Sequence, residues 1–534
     1  MNFTPSPEQE RARSFFRTGA NLRIDAYAGA GKTSTLKLLT QDCSRRGLYM
    51  AFNRVIAEDA KRSFPASVSC ATAHSLAFRA IARSLGYPDW KLTGALTPNT
   101  ILDQFRMPPI LEFRSGVTLT KWAYGSILLH TVRRFLQSED DTVRSLHIPR
   151  YGLLEMLPDT VFEEFGTQAM EHANAIWNAM CHKSAGLPLG HDGYLKLWAL
   201  SRPRASVDYI LIDEAQDLNP VLLGVLRNQT CQIVYVGDPY QQIYEWRGAV
   251  NAMDQVEIRD RVLLSQSYRF GTVIAEAATR VLRTLGAKEP VRGVASLESN
   301  VAALVPQIIL SRTNSGVIGN VLRAQAAGRR CHVLGGTKSL SLLLTDVQRV
   351  KGGQTGTSSE LLGFHSWKDV MSFSGQAEGE HLRALVNLVQ EYGEGPMLRA
   401  LAGCEENEAD AQVICSTAHK SKGREWGYVA IDTDFLEPRP HSDQAKRQQE
   451  EAAELRLLYV AITRAKFAVD LPPSILKRFD LKRTTSAILN ATNITSRENA
   501  APAQDPRLEG VISPYHSAKK GETKEMVTLR RILG

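Results

Sequence analysis

Strand-like runs at 22–26, 48–52, 208–212 and 232–236 alternate with segments whose apolar positions recur at helical spacing. A run such as "YILI" (209–212) is apolar throughout, which suits a strand buried on both faces, so the pattern predicts a parallel sheet covered by helices. A second set, near 306–310, 331–334, 412–415 and 428–432, predicts another sheet of the same kind. The fold class is therefore α/β, with two parallel-sheet units and helical insertions. The first unit uses 1–85 and 205–265. It is interrupted by 86–204, amphipathic sequence such as "AYGSILLHTVRRFLQ" and "TQAMEHANAIWNAM". The second uses 266–340 and 411–470 around a short insertion at 341–410, which holds the Gly/Ser/Thr stretch "KGGQTGTSSE". From 471 to 534 the chain turns polar and basic and reads as a partly ordered linker, with a short amphipathic helix at "EMVTLRRILG" (525–534).

Composition adds bounds. In 534 residues, 43% are hydrophobic and 22% charged, which supplies ample core for several compact units. A net charge of +8 is compatible with a polyanionic partner. Cys43, Cys70, Cys181, Cys231, Cys331, Cys404 and Cys415 are scattered and never form CxxC. That argues for a reducing compartment and against disulfides, zinc or an iron–sulfur cluster. The start "MNFTPSPEQERARSFF" has no apolar signal region, and no stretch approaches a membrane span, so a cytoplasmic location is expected.

The first chemical signal is "NLRIDAYAGAGKTSTLKLLT" (21–40), a strand pattern, a glycine-rich turn and a helix opening at Lys32-Thr33. Ala28, Gly29, Ala30 and Gly31 are small enough for backbone N–H groups to wrap a phosphate, and Ser34 follows in the helix's first turn. Lys32 reaches the β- and γ-phosphates of a nucleotide, and the Thr33 hydroxyl suits Mg2+. Ala26 stands where the P-loop pattern has glycine, and it is small enough to keep the turn tight. The second signal is "VDYILIDEAQDLNP" (207–220), whose strand ends in Asp213-Glu214. Parallel sheets place ligands at the carboxyl ends of their strands. Asp213 is assigned to the metal and Glu214 to the attacking water. An acidic pair alone is as readily a charged turn; beside the phosphate loop it points to an NTPase that uses Mg2+.

The chain also resembles the superfamily 1 helicases of the UvrD/PcrA/Rep type, and within them the F-box-containing DNA helicase branch. The resemblance rests on an ordered series over 1–85 and 205–470: "PSPEQERA", "AYAGAGKT", "YMAFNRVIAEDAKRSFP", "CATAHSLAFRAI", "LIDEAQD", "VGDPYQQIYEWRGA", "LSQSYRFG", "LSRTN", "STAHKSKGREW" and "LLYVAITRAK". Ahead of the phosphate loop no F-box is expected, so the likeness covers the motor. It implies two RecA-like domains, 1A and 2A, with 86–204 as the 1B insertion and 341–410 as a reduced 2B. It further implies Gln9 at the adenine, Tyr268 stacked on it, Glu425 at the ribose and Gln241 at the γ-phosphate. Arg269 and Arg464 are implied as arginine fingers. Phe52 with Asn53, Thr72 with His74, Trp246 with Arg247, Arg312 with Asn314, and Thr417 with His419 fall on motifs that touch single-stranded DNA. Asp238 belongs to the nucleotide side, and Tyr244 suits either the DNA side or the core.

Taken singly, these residues have plainer roles: Trp246 as a packing anchor, His74 and His419 as hydrogen-bonded structural histidines, Tyr268 as a helix cap, Arg464 as a solvated helix charge. The ordered series outweighs those separate coincidences. The resemblance implies an ATP-dependent helicase or translocase moving 3′ to 5′ on single-stranded DNA and at junctions with duplex, in repair, recombination or replication. Two other outputs suit the same motor. One is a remodeller that strips recombinase filaments. The other is a DNA-activated ATPase subunit of a repair or phage-defence assembly, docked through the C-terminal tail.

Overall fold

The computed structural model describes residues 4–486, apart from 52, 151–153, 155–156, 244–251, 359, 362–363, 365, 376–381 and 436–443, together with 488–489. Two six-stranded parallel sheets carry the molecule. The first runs in the order Val68–Thr72, Gly47–Ala51, Tyr209–Ile212, Gln232–Gly237, Leu22–Ala26, Asp260–Leu264. Its register sets Ala51 beside Thr72 and Met50 beside Ile212. The outermost strands, Val68–Thr72 and Asp260–Leu264, add to those expected from the runs. "VSCAT" and "DRVLL" mix polar and apolar residues, as edge strands do, and so are weak as apolar signals.

Side chains alternate across this sheet with period two. Leu48, Met50, Ile210 and Ile212 pack on one face, and Tyr49, Ala51, Tyr209 and Leu211 on the other. The second face is covered by Pro7–Arg17, Lys32–Thr40 and Arg54–Ser63 through Phe16, Leu36 and Ala57. The first face shares its core with the helical insertion, where Lys121–Gln137 and Asp159–Cys181 bury Ile127, Phe135, Phe165 and Trp177.

The second sheet runs Asn300–Val301, Ala465–Asp470, Trp426–Ile431, Ile308–Ser311, Val413–Thr417, Cys331–Val333. Its short insertion forms Lys338–Lys351, Trp367–Ser374, Arg383–Tyr392 and Glu394–Ala402. Leu344, Val347, Phe373, Val389 and Leu401 of these helices share one core with Val333, Val413 and Cys415 of the sheet. The insertion is therefore a helical layer on the second sheet. Beyond 470 the chain differs from the expected linker. Pro473–Arg478 is a helix, and Ile475 and Phe479 enter the second core. Leu489 bridges to Leu304. Apolar residues at 475 and 479, spaced by four, give this stretch a buried face that its polar average conceals. The stretch 525–534 lies outside the described residues, and no described helix is long and apolar enough to cross a membrane.

Candidate active site and nucleic-acid interface

Leu22–Ala26 ends in the phosphate loop, where Gly29 and Gly31 take left-handed φ values of 73° and 76°. Space matters at Gly29 as well, since a Cβ there would lie 2.6 Å from Ser267 Oγ and 2.7 Å from Arg269 Cβ. The loop is gripped from the far side of the cleft. Tyr268 N–H donates to Gly29 O at 2.9 Å, and Ala28 N–H donates to the Tyr459 hydroxyl at 3.0 Å. Ala30 is buried and donates its N–H to Tyr27 O; Thr33 and Ser34 stay exposed at the start of Lys32–Thr40.

Beside the loop, Lys32 Nζ meets Glu214 Oε2 at 2.9 Å, and the Thr33 hydroxyl donates to Asp213 Oδ2 at 3.0 Å. Burial would lower the Lys32 ammonium, but Glu214, Asp238 and Asp213 together hold it above its ordinary range. Burial likewise pushes against the Glu214 carboxylate, yet Lys32 and Lys422 overcome it and bring Glu214 down to about 2. Asp213 goes the other way, raised by burial and by the neighbouring Glu214 charge. Asp213 thus carries a poorly compensated buried charge beside a hydroxyl ligand. Two hard oxygen groups in that setting fit a magnesium ion. Glu214 has a left-handed φ of 52°, which turns the chain so that the two adjacent carboxyls face different partners.

Asp238 follows the strand Gln232–Gly237 and accepts from Gln241 Nε2 at 2.8 Å and from the Tyr459 hydroxyl at 3.0 Å. Burial, only partly countered by Lys32, pushes Asp238 up to about 6. The other end of the Gln241 amide faces Arg464, with Nη2 3.5 Å from Oε1. Arg464 is 2% exposed, which overturns its reading as a solvated helix charge. Its remaining bonds go to backbone oxygens of Val460 and Arg424 and to the Thr463 hydroxyl. Burial, then the neighbouring Arg269 charge, lowers Arg464 to about 9. Arg269 donates to Glu425 Oε2 at 2.7 Å and to Thr463 O at 2.9 Å, and Lys466 Nζ lies 2.6 Å from the other Glu425 oxygen. Both cationic partners hold Glu425 ionised against its burial.

Gln9 is buried in the capping box of Pro7–Arg17, its Oε1 accepting Ser6 N–H and its Nε2 donating to the Thr35 hydroxyl at 3.0 Å. A Cβ at Gly31 would sit 3.6 Å from Gln9 Nε2 and 3.9 Å from the Tyr268 ring. Gln9, Tyr268 and the loop therefore border one space.

The expected DNA-facing residues are less uniform. Phe52, Tyr244, Trp246 and Arg247 lie outside the described residues. Asn53, Thr72 and Thr417 each cap the helix that follows, accepting from Ile56, Ser75 and Lys420 N–H. His74 Nε2 is 3.4 Å from Asp192 Oδ1 of the helical insertion. Arg312 pairs with Glu454 at 2.5 Å, and Asn314 donates to Glu360 at 3.3 Å. His419 is half-buried in the short helix Ala418–Ser421. Asn53, Thr72, Arg312 and Thr417 stand at or just past the carboxyl ends of parallel strands.

Sequence reasoning passed over four participants. Tyr49 donates to Asp213 Oδ2 at 2.9 Å from within an apolar run, where it read as core. Tyr459 joins the phosphate loop to Asp238 from Gln444–Ile462. Lys422 meets Asp217 Oδ2 at 2.5 Å and donates to Gln241 O at 2.6 Å, closing the cleft with a buried ion pair. Asp217 still rises to about 6, because burial outweighs Lys422 and Glu214 adds to it. All four sit in motifs already quoted, Lys422 in "STAHKSKGREW", Asp217 in "LIDEAQD", Tyr49 in "YMAFNRVIAEDAKRSFP" and Tyr459 in "LLYVAITRAK", but the tyrosines there read as apolar core.

The UvrD/REP helicase N-terminal domain model matches residues 163–256, and the UvrD-like helicase C-terminal domain model matches residues 364–471. Residues 163–256 and 364–471 are thus UvrD-like helicase N- and C-terminal domains. It is 30% identical over 510 residues to F-box DNA helicase 1 of Gallus gallus, covering 86% of this chain and 48% of that protein. The F-box DNA helicase protein 1 of Schizosaccharomyces pombe is likewise 30% identical over 508 residues, covering 87% of this chain and 57% of the relative. The chain thus spans about half the length of these two curated relatives. DNA helicase II of Haemophilus influenzae is 33% identical over 90 residues, 16% of this chain and 12% of that one.

Proposed function

We propose that this UvrD-like chain is an ATP- and magnesium-dependent DNA motor that translocates 3′ to 5′ along single-stranded DNA and opens duplex at junctions. The observation that carries the reading is the closing of one cleft from both sheets. Lys32, Asp213, Glu214 and Gln241 line the first side, and Arg269, Glu425 and Arg464 the second. Phosphoryl transfer depends on positioning and charge stabilisation, and this set supplies both.

The chemistry follows from what the side chains hold. An arriving triphosphate competes with Glu214 for Lys32. Its success frees the Glu214 carboxylate from Lys32, the contact that held its basicity down, and leaves it able to align a water and accept its proton. Thr33 and Asp213 would hold magnesium, which supplies charge neutralisation to the phosphates. Arg464 precedes a strand of the second sheet, and Arg269 lies on Gln266–Gly271 in a separate two-stranded sheet, bonded to Glu425 and Thr463 of the second unit, so their charge reaches the reacting phosphate only when the cleft is closed on it. Gln241 lies between Asp238 and Arg464, and loss of the γ-phosphate changes what its amide can bond. On the DNA side, the polar strand-end groups suit phosphate and sugar contacts, which fix register and read no sequence.

The test is ATP turnover with and without single-stranded DNA, duplex, forked DNA and RNA. The expected outcome is weak basal hydrolysis strongly raised by single-stranded DNA; full turnover indifferent to every nucleic acid would sink the motor reading. A second output, stripping of recombinase filaments, draws support from the short insertion, which lies folded onto the second sheet. Comparing unwinding of a 3′-tailed duplex with displacement of a filament separates the two.

A further inference from the structure

Far from the cleft, at the outer edge of the second sheet, two thiols face each other. Cys331 Sγ and Cys404 Sγ are 3.7 Å apart although 73 positions separate them in the chain. Cys331 opens the edge strand Cys331–Val333 and is 1% exposed, whereas Cys404, just beyond Glu394–Ala402, is partly exposed. One backbone and one side-chain bond fix the approach. Glu405 N–H donates to Cys331 O at 2.8 Å, and His332 Nδ1 of the ring donates to Glu405 O at 2.8 Å, which holds 404–405 against 331–332. A disulfide needs sulfurs about 2.0 Å apart, a further approach of less than the length of two bonds. Among the described residues no group of three or more ligating side chains surrounds the pair, which removes a metal site as the reason for it.

We propose that Cys331 and Cys404 are a redox modification site, joined reversibly into a disulfide by a peroxide. Such a bond would close residues 331–404 into a loop and fasten the four helices of the short insertion to the edge of the second sheet. The two thiols share a hydrogen bond in which either can donate, and this bond, with one from Gln325 Nε2, holds the Cys331 thiol below its ordinary range against its burial. Peroxide enters past the partly exposed Cys404, and Cys331, with the greater thiolate character, attacks it. Its sulfur attacks one peroxide oxygen, the O–O bond breaks, and the departing hydroxide takes a proton to become water, leaving a sulfenic acid on Cys331. The Cys404 sulfur then attacks that sulfenic sulfur. The S–O bond breaks, and the oxygen leaves as a second water carrying the Cys404 proton. Each thiol has given up one electron, and hydrogen peroxide has taken both. Cysteine pairs in reducing compartments that form disulfides at all tend to be transient and regulatory, which suits a contact already made but not bonded.

The experiment treats the full chain with hydrogen peroxide, alkylates remaining thiols and maps the unreduced peptides by mass spectrometry. The expected result is one linked peptide pair, Cys331 to Cys404, that disappears on adding dithiothreitol. It should be absent in Cys404→Ser and retained in Cys415→Ser, whose thiol lies buried on the neighbouring strand. The same treatment should raise the melting temperature of the unsubstituted chain and leave that of Cys404→Ser unchanged. Oxidation of Cys404 to a sulfinic acid without a link, a link from Cys331 to Cys415 instead, or no modification of either thiol would each overturn the proposal.

Discussion

Both sheets have six parallel strands, but in different orders, and they distribute the residues expected at nucleotide and DNA differently. In the first, the two expected sets occupy the same end. Lys32, Asp213 and Asp238 follow the carboxyl ends of three neighbouring strands, while Asn53 follows, and Thr72 ends, the two strands at one side of the sheet. In the second, the two sets lie at opposite ends. Glu425 and Arg464 immediately precede Trp426–Ile431 and Ala465–Asp470, whereas Arg312 and Thr417 stand at the carboxyl ends of Ile308–Ser311 and Val413–Thr417. A strand of that length is a strut of roughly 15–20 Å at about 3.3 Å per residue. On the function proposed above, communication in the first sheet is sideways, through loops between neighbouring strand ends. In the second it would run lengthwise, from Glu425 and Arg464 at one end of the strands to Arg312 and Thr417 at the other. The first sheet would hold both ligands and the second act as a lever between them.

The severest way to test that division is Lys32→Ala. It removes the cation that exchanges Glu214 for phosphate, and ATP turnover should fall by about 10³-fold or more, while single-stranded DNA affinity stays near that of the unsubstituted chain. Loss of both together would mean that the first sheet does not separate the two tasks. Arg464→Ala acts at the lever's nucleotide end. Turnover should drop by about 10²- to 10³-fold, and DNA should lose its ability to stimulate what remains. Retained stimulation in a steady-state assay would remove Arg464 from the coupling. Because its guanidinium is buried, a thermal melt must accompany the assay, and Arg464→Lys should preserve more stability than activity, since it keeps the charge without the planar fork.

How much of this was legible in the chain depends on what each residue's neighbours in sequence reveal. The loop after Leu22–Ala26 reads directly, because small residues, lysine and threonine fall within a few positions of one another. Most inner strands read from their largely apolar runs, whereas Leu22–Ala26, with Arg23 and Asp25, reads from the loop that follows it. Tyr49 and Tyr459 did not, since an aromatic hydroxyl within an apolar run has the same local pattern as a core residue. Only the pairing of Gly47–Ala51 with Tyr209–Ile212 brings Tyr49 to Asp213. The insertion at 341–410 read as short, yet its union with the second sheet depends on Leu344, Val347 and Leu401 meeting Val413 and Cys415, contacts that no periodicity encodes. The Cys331–Cys404 contact was hidden by the same distance in sequence.

A smaller effect distinguishes the cost of building the first sheet's cleft from its use. Asp238 is raised from the usual 3.8 to about 6, so the folded state binds its proton more tightly than the unfolded chain does. Its contribution to stability is therefore complete below about pH 4, falls as pH rises through about 6, and stays lost above. The largest difference is about 3 kcal/mol, as roughly two pKa units imply. Without nucleotide, Asp238→Asn should flatten the decline in melting temperature between pH 4 and 7, while still accepting from Gln241 and Tyr459. An unchanged profile would place that pH dependence on Asp217, which sits near the same value.

The mildest substitution addresses the track end of the same sheet. Asn53 caps Arg54–Ser63, its side chain accepting Ile56 N–H at 2.9 Å. Asn53→Ala should cost about 1 kcal/mol of stability, the usual value of a lost cap, whereas Asn53→Ser should restore it. Affinity for single-stranded DNA tells cap from contact. If Asn53 only orders the helix, binding recovers with serine, because a hydroxyl caps as well as an amide. If the amide itself reaches a phosphate or base, serine rescues the melt and leaves binding weak. The second pattern is the one expected of a residue at a strand end beside Thr72, and recovery of both by serine would confine Asn53 to the fold and shorten the track on the first sheet to its outermost strand.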